Sequence, residues 1–124
     1  MAFSTYQLLI HVSENLRIRI GQLGTFDFPT GRYIYTGSAK RNFEARITRH
    51  LAKSKRLRWH IDYLLAASGV DVVDVLRFDA SECEVNRRTA GRVIVNRFGA
   101  GDCRSGCGSH LKYRAAGETV GEPC

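Results

Sequence analysis

The chain has 124 residues, 44% hydrophobic and 25% charged, a composition that folds and is long enough to bury a core without disulfide or metal staples. No apolar run approaches the length of a membrane span, and two prolines with no low-complexity tract argue against disorder. Nineteen Lys and Arg against twelve Asp and Glu leave a net charge of +7, which favours a polyanionic partner. The segment from Tyr6 to Val12 reads as a strand, with Tyr6, Leu8, Ile10 and Val12 alternating onto one face. Leu16 to Ile20 alternates again with Arg17 and Arg19 outward, Gly21 to Gly24 is turn-like, and Phe26 to Phe28 closes at Pro29-Thr30-Gly31. Arg32 to Gly37 is a further strand rich in β-formers. Short strands joined by short turns are the signature of antiparallel pairing.

Helices are expected next. Asn42 is positioned to cap one that runs to about Ser54, with Phe43, Ile47 and Leu51 as its apolar line and Arg46, His50 and Lys53 beside it. A second helix is predicted from Trp59 to Ser68 with Ile61, Leu64 and Leu65 inward, then a strand within Val70 to Phe78. Ser81 and Glu84 form a capping-box pattern that opens a third helix, Glu82 to about Asn96. From Phe98 onward the chain reads as a glycine-rich tail. The expected architecture is one α/β (α+β) domain over 1–124, a small, mainly antiparallel sheet flanked by about three helices.

The charge is not spread evenly. Lys40, Arg41, Arg46, Arg49, Lys53, Lys55, Arg56 and Arg58 surround a single acid, Glu44, so the segment from Lys40 to Arg58 alone carries the whole excess. That stretch follows a strand ending in Tyr35-Thr36-Gly37-Ser38 and places Arg46 and His50 one helical turn apart on one face. From spacing alone Arg46 and His50 serve equally as phosphate contacts or as catalytic groups, and the tyrosines as core packing. Glu84 is explained by the capping box, and Glu82 sits where a helix dipole favours an acid anyway.

Taken in order, Tyr6, Tyr35-Thr36-Gly37-Ser38-Ala39-Lys40 and Phe43-Glu44-Ala45-Arg46 through His50 resemble the GIY-YIG nuclease superfamily. The first motif, Gly-Ile-Tyr, falls on Ser4-Thr5-Tyr6, where its glycine is a serine; Tyr35-x-Gly37 is the second. More narrowly, the chain resembles the small DUF123-type branch, sometimes fused to endonuclease III. That branch inserts a hairpin between the two tyrosine motifs, as Leu16 to Thr30 would here. It carries the run Trp59 to Leu64, Glu82-Cys83, and a late Phe98 to Leu111 segment, in which this chain has an apparent insertion, Cys103 to Cys107. The resemblance spans about 5–111 and leaves 112–124 as a C-terminal tail.

The resemblance implies a magnesium- or manganese-dependent endonuclease, a hydrolase of DNA phosphodiester bonds acting in DNA repair or processing. It implies catalytic roles for Tyr6, Tyr35, Arg46, His50 and Glu82, with Glu82 holding one Mg²⁺ or Mn²⁺ and Gly37 and Ser38 as motif residues. It leaves open which tyrosine accepts the proton of the attacking water. A tyrosine titrates near pH 10, so the residue that does so is expected to be depressed by nearby positive charge. Lys40, Arg41, Arg49, Lys53, Lys55, Arg56 and Arg58 are the expected DNA-binding residues, with RNA as the other polyanion of the same chemistry. Association with a base-excision repair enzyme follows from the fusions. The alternative is a nucleic-acid-binding module that keeps the fold without cutting. Cys83, Cys103, Cys107 and His110 supply a zinc-ligand set as the alternative cofactor site. The start Met1-Ala2-Phe3-Ser4-Thr5 lacks a basic and an apolar export region, so cytoplasmic residence, thiols rather than disulfides and no membrane partner are expected.

Overall fold

The computed structural model describes residues 3–52, 56–99 and 109–115. The expectations for Lys53, Lys55, Cys103 and Cys107 lie outside the described residues. Four strands come first, β1 (Thr5–Val12), β2 (Leu16–Ile20), β3 (Gly24–Phe28) and β4 (Gly31–Ser38); helices α1 (Phe43–Leu51) and α2 (His60–Leu65) follow, then strand β5 (Val70–Phe78), helix α3 (Glu82–Arg88) and strand β6 (Leu111–Ala115). The order β5-β1-β4-β6 forms a four-stranded sheet, antiparallel throughout, and β2 and β3 form a separate hairpin. This is the expected α+β fold with its inserted hairpin.

Alternation explains the layering. Tyr6, Leu8, Ile10 and Val12 of β1 point to one face, join Tyr33 and Tyr35 of β4, Leu111 and Tyr113 of β6, and meet Ile47, Ile61, Leu64 and Leu65 of the helices. Ile20 and Phe28 close that core from the hairpin, where Arg17 and Arg19 point outward as expected. The opposite face is covered near the start of β1 by α3. There buried Gln7 donates from Nε2 to Thr36 Oγ1 (3.0 Å) and Thr89 Oγ1 (2.6 Å), so its amide hydrogens are satisfied away from water.

Several boundaries differ from the expected ones. Helix α1 ends at Leu51, not near Ser54, and Asn42 caps with its backbone only: it adopts φ 55°, and its carbonyl accepts from Arg46 N–H at 2.9 Å. Leu51 is 49% exposed while His50 is 2% exposed, so His50 takes the place in the core assigned to Leu51. Helix α2 covers only the middle of its predicted span, because the chain turns at Gly69, φ +87°, to enter β5. Helix α3 ends at Arg88 rather than near Asn96. Beyond it Arg92 exchanges backbone hydrogen bonds with Tyr113 (2.9 and 2.8 Å), a pairing that competes with helix continuation. The segment expected as a glycine-rich tail supplies β6, which adds to the sheet beside β4.

Candidate active site

Tyr6 and Gly37 are register partners across β1 and β4, and Tyr35 lies two residues back on the same strand face. A Cβ on Gly37 would sit 2.6 Å from Tyr6 Oη, 2.7 Å from its Cζ and 3.0 Å from Tyr35 Cε2. Glycine is therefore required here because the Tyr6 ring lies directly over the backbone, not because of an unusual φ. Gly99 does the same on the other side of Tyr35: a Cβ there would meet Tyr35 Cε1 at 2.9 Å. Its N–H donates to His60 Nδ1 (2.9 Å). Burial pushes the His60 imidazole down, which suits it to accept that bond.

The two tyrosines open onto a cleft of about 420 Å³, into which Arg46 and Glu82 also project and which Ser38, Trp59, Cys83 and His110 help to line. Tyr6 Oη is hydrogen-bonded to His50 Nε2 at 2.7 Å. Ser38, at the end of β4, links two charged groups. Its hydroxyl donates to Glu82 Oε1 (2.6 Å), and its carbonyl accepts from Arg46 Nη1 (3.1 Å). The second carboxylate oxygen of Glu82 lies 2.5 Å from His110 Nδ1. Burial alone would push the Glu82 carboxyl up, but His110, Ser38 and the Arg46 charge together hold it below the ordinary range. The five residues expected to be catalytic, Tyr6, Tyr35, Arg46, His50 and Glu82, are thus brought to one place. Four line the cleft, and His50 stands behind Tyr6.

Neither tyrosine has the depressed titration expected of the proton acceptor. Burial raises Tyr6 well above its usual value; the Arg46 charge opposes that shift without reversing it, and Glu82 adds to it. Tyr35 is raised as well, mainly by burial and then by Tyr6 and Glu82. One guanidinium does not offset desolvation of two phenols beside a carboxylate.

Arg46 is fixed by a feature that spacing did not reveal. Its guanidinium carbon stands 4.7 Å from the Trp59 ring centroid, with Arg49 at 4.4 Å and Arg58 at 5.3 Å over the same indole. Arg49, expected to grip phosphate, is instead committed to fully buried Asp62, to which it donates from Nη1 (2.9 Å) and Nη2 (3.0 Å). The N–H groups of Arg58 (2.8 Å) and Trp59 (2.9 Å) complete the set around Asp62. Burial would raise the Asp62 carboxyl, yet these donors hold it below the ordinary range. The Trp59 to Asp62 run is therefore a bracket for the basic helix: Asp62 holds Arg49 against Trp59, and Trp59 holds Arg46. Of the remaining expected DNA contacts, Lys40, Arg41, Arg56 and Arg58 are exposed.

His110, a member of the alternative zinc-ligand set, holds Glu82. Among the described residues no group of three or more His, Cys, Asp or Glu gathers as a metal site, and no helix is long and apolar enough to cross a membrane. Neither a curated protein nor a solved structure matches the chain. A family model does match, over residues 5–123, under the description Domain of unknown function DUF123. Nearly the whole chain is included in that match, sheet, helices and cleft together, and the chain belongs to the DUF123 family.

Proposed function

We propose that this protein is a metal-dependent endonuclease of the GIY-YIG type that hydrolyses DNA phosphodiester bonds in repair or processing. The observation that carries the reading is the convergence of Tyr6, Tyr35, Arg46 and Glu82 on one cleft, with Tyr6 hydrogen-bonded to His50. Exposed Lys40, Arg41, Arg56 and Arg58 give the surface a charge suited to the DNA backbone.

A water attacks phosphorus, a P–O bond forms, and the bond to the leaving 3′-oxygen breaks. Tyr6 Oη accepts the water's proton as its own proton passes to His50 Nε2, 2.7 Å away. This relay never requires a free phenolate, so the raised titration of Tyr6 is compatible with it. Arg46 places a planar, permanently charged fork beside the phosphate oxygens as negative charge builds on them. Glu82 offers one hard-oxygen donor kept ionised by its neighbours, a donor set that suits Mg²⁺ or Mn²⁺, ions that retain most of their waters. When bound, such an ion supplies charge for the phosphate and the leaving oxygen.

A second reading, a nucleic-acid-binding module that does not cut, is favoured by one observation: both Glu82 oxygens already have protein partners, Ser38 and His110. One assay separates the two. Supercoiled, nicked, flapped and branched DNA are incubated with the protein and Mg²⁺ or Mn²⁺. The wild type cuts at least one of them, chelation stops it, and Glu82→Gln cuts at least about 100-fold more slowly while still binding. Binding without cleavage by the wild type, or equal cleavage by Glu82→Gln, refutes the endonuclease reading.

A further inference from the structure

Phe3 is 44% exposed, and its ring is not alone. It lies 6.4 Å from the ring of Phe43, tilted by 34°, and Phe43 in turn meets Tyr6 edge-on at 5.8 Å. Three rings thus run in file from the cleft to solvent. Phe43 stands one turn before Arg46 on α1, so the file leaves the cleft beside the guanidinium. Basic residues flank its outer end. Ala39 N–H donates to the Ser4 carbonyl (3.0 Å), which extends the pairing of β1 and β4 and brings Phe3 alongside exposed Lys40, with Arg41 next in the chain. Of the acids on this side, Glu44 is already held by two bonds from Arg77 at 2.8 Å, while exposed Asp79 follows Phe78, whose carbonyl accepts Ser4 N–H at 3.1 Å.

An isolated exposed phenylalanine needs no explanation. A pair of aromatic rings that leads from the cleft holding Arg46 and is flanked by Lys and Arg is a different object. Aromatic faces interleaved with positive charge are what a single-stranded nucleic acid binds: the cations follow its backbone and each ring takes the face of a base. Closed duplex cannot use such a step, because its base faces are already stacked on one another.

We infer that Phe3 and Phe43 form a stacking step for an unpaired base next to the phosphate in the cleft. The preferred substrate is then DNA with single-stranded character at that phosphate, such as a flap or a gap, rather than closed duplex. The inference rests on the endonuclease reading for its orientation toward the cleft, but its test does not require cutting.

The test is binding of the full chain, in chelator, to a fluorescent flapped duplex and to a closed duplex of the same sequence, followed by anisotropy. The wild type is expected to prefer the flap by roughly tenfold. Phe3→Ser should abolish that preference and leave closed-duplex affinity within about twofold, and Phe3→Trp should restore it. Phe3 is exposed, so these variants fold; Phe43 is left in place because it packs on Tyr6. The inference is overturned if the wild type binds both DNAs equally, if it binds neither, or if Phe3→Ser keeps the preference. Loss of the preference in Phe3→Ser together with failure of the wild type to cut any DNA would leave the stacking step standing and refute the endonuclease reading alone.

Discussion

Replacing Arg46 by alanine is expected to slow cleavage of saturated DNA by about 100- to 1,000-fold, the range for loss of one preorganised donor to a developing oxyanion. Affinity should fall only a few-fold. Arg46 earns this separation from its place: half-buried in the cleft, tied to the Ser38 carbonyl at 3.1 Å and lying over Trp59 at 4.7 Å. A guanidinium held in one position costs no reorganisation when charge develops, and stabilises the transition state more than bound DNA. Arg41 and Arg58 should behave the other way. Both are exposed, and each replaced by alanine should weaken binding and reduce the salt slope by about one phosphate contact, with little effect on the rate once DNA is saturating. Single-turnover rates at saturating protein, with affinities measured at two salt concentrations, separate these effects. Arg46→Ala cutting as fast as wild type would remove it from the chemistry.

Asp62→Ala is expected to destabilise the fold by about 3 kcal/mol, the lower end of the range for breaking a buried ion pair. The lower end applies because the Arg49 side chain keeps 26% of its surface in solvent, whereas that of Asp62 keeps none. The loss includes two backbone N–H groups, those of Arg58 and Trp59, left without their acceptor. The sign of the pH dependence follows from the depressed Asp62 carboxyl. Its stabilisation is present in full above the unfolded-state value of about 4 and is lost as pH falls through the lower folded value. Urea unfolding of the wild type should therefore weaken below about pH 4, and the gap between wild type and Asp62→Ala should narrow over the same interval. A gap independent of pH would mean that Asp62 acts by shape alone.

What was legible in the chain was what is local. Alternation in Tyr6 to Val12, and stricter alternation in Leu16 to Ile20, reveals strands and their inward faces, and Ser81 with Glu84 marks the start of α3, where Ser81 Oγ does accept Glu84 N–H. The motif order, through the family resemblance, also picks out Tyr6, Tyr35, Arg46 and Glu82, which the fold brings to one cleft. What escaped depends on distant partners. Helix α3 stops because Arg92 pairs with Tyr113, and β6 exists because β4 offers an open edge. The bonds from His110 to Glu82 and from Arg49 to Asp62 join residues with no periodic relation. Leu51 lies eight residues after Phe43 on the expected apolar line, yet eight residues overshoot a helix face by about 80°, whereas seven return within about 20°. His50 is seven from Phe43, which is why it, and not Leu51, faces inward beneath Tyr6.

Under the proposed function, Tyr6, backed by His50, moves a proton at a phosphate held in this cleft. Single-turnover cleavage of flapped DNA by wild type and by Tyr6→Phe, at protein concentrations that saturate both, tests it most directly. The substitution removes one oxygen and keeps the ring that packs against Phe43 and Gly37. Cleavage by the wild type and a loss of about 100-fold or more in Tyr6→Phe, with unchanged affinity, is the predicted result. Equal rates for the two proteins, or no cleavage by either, would contradict it.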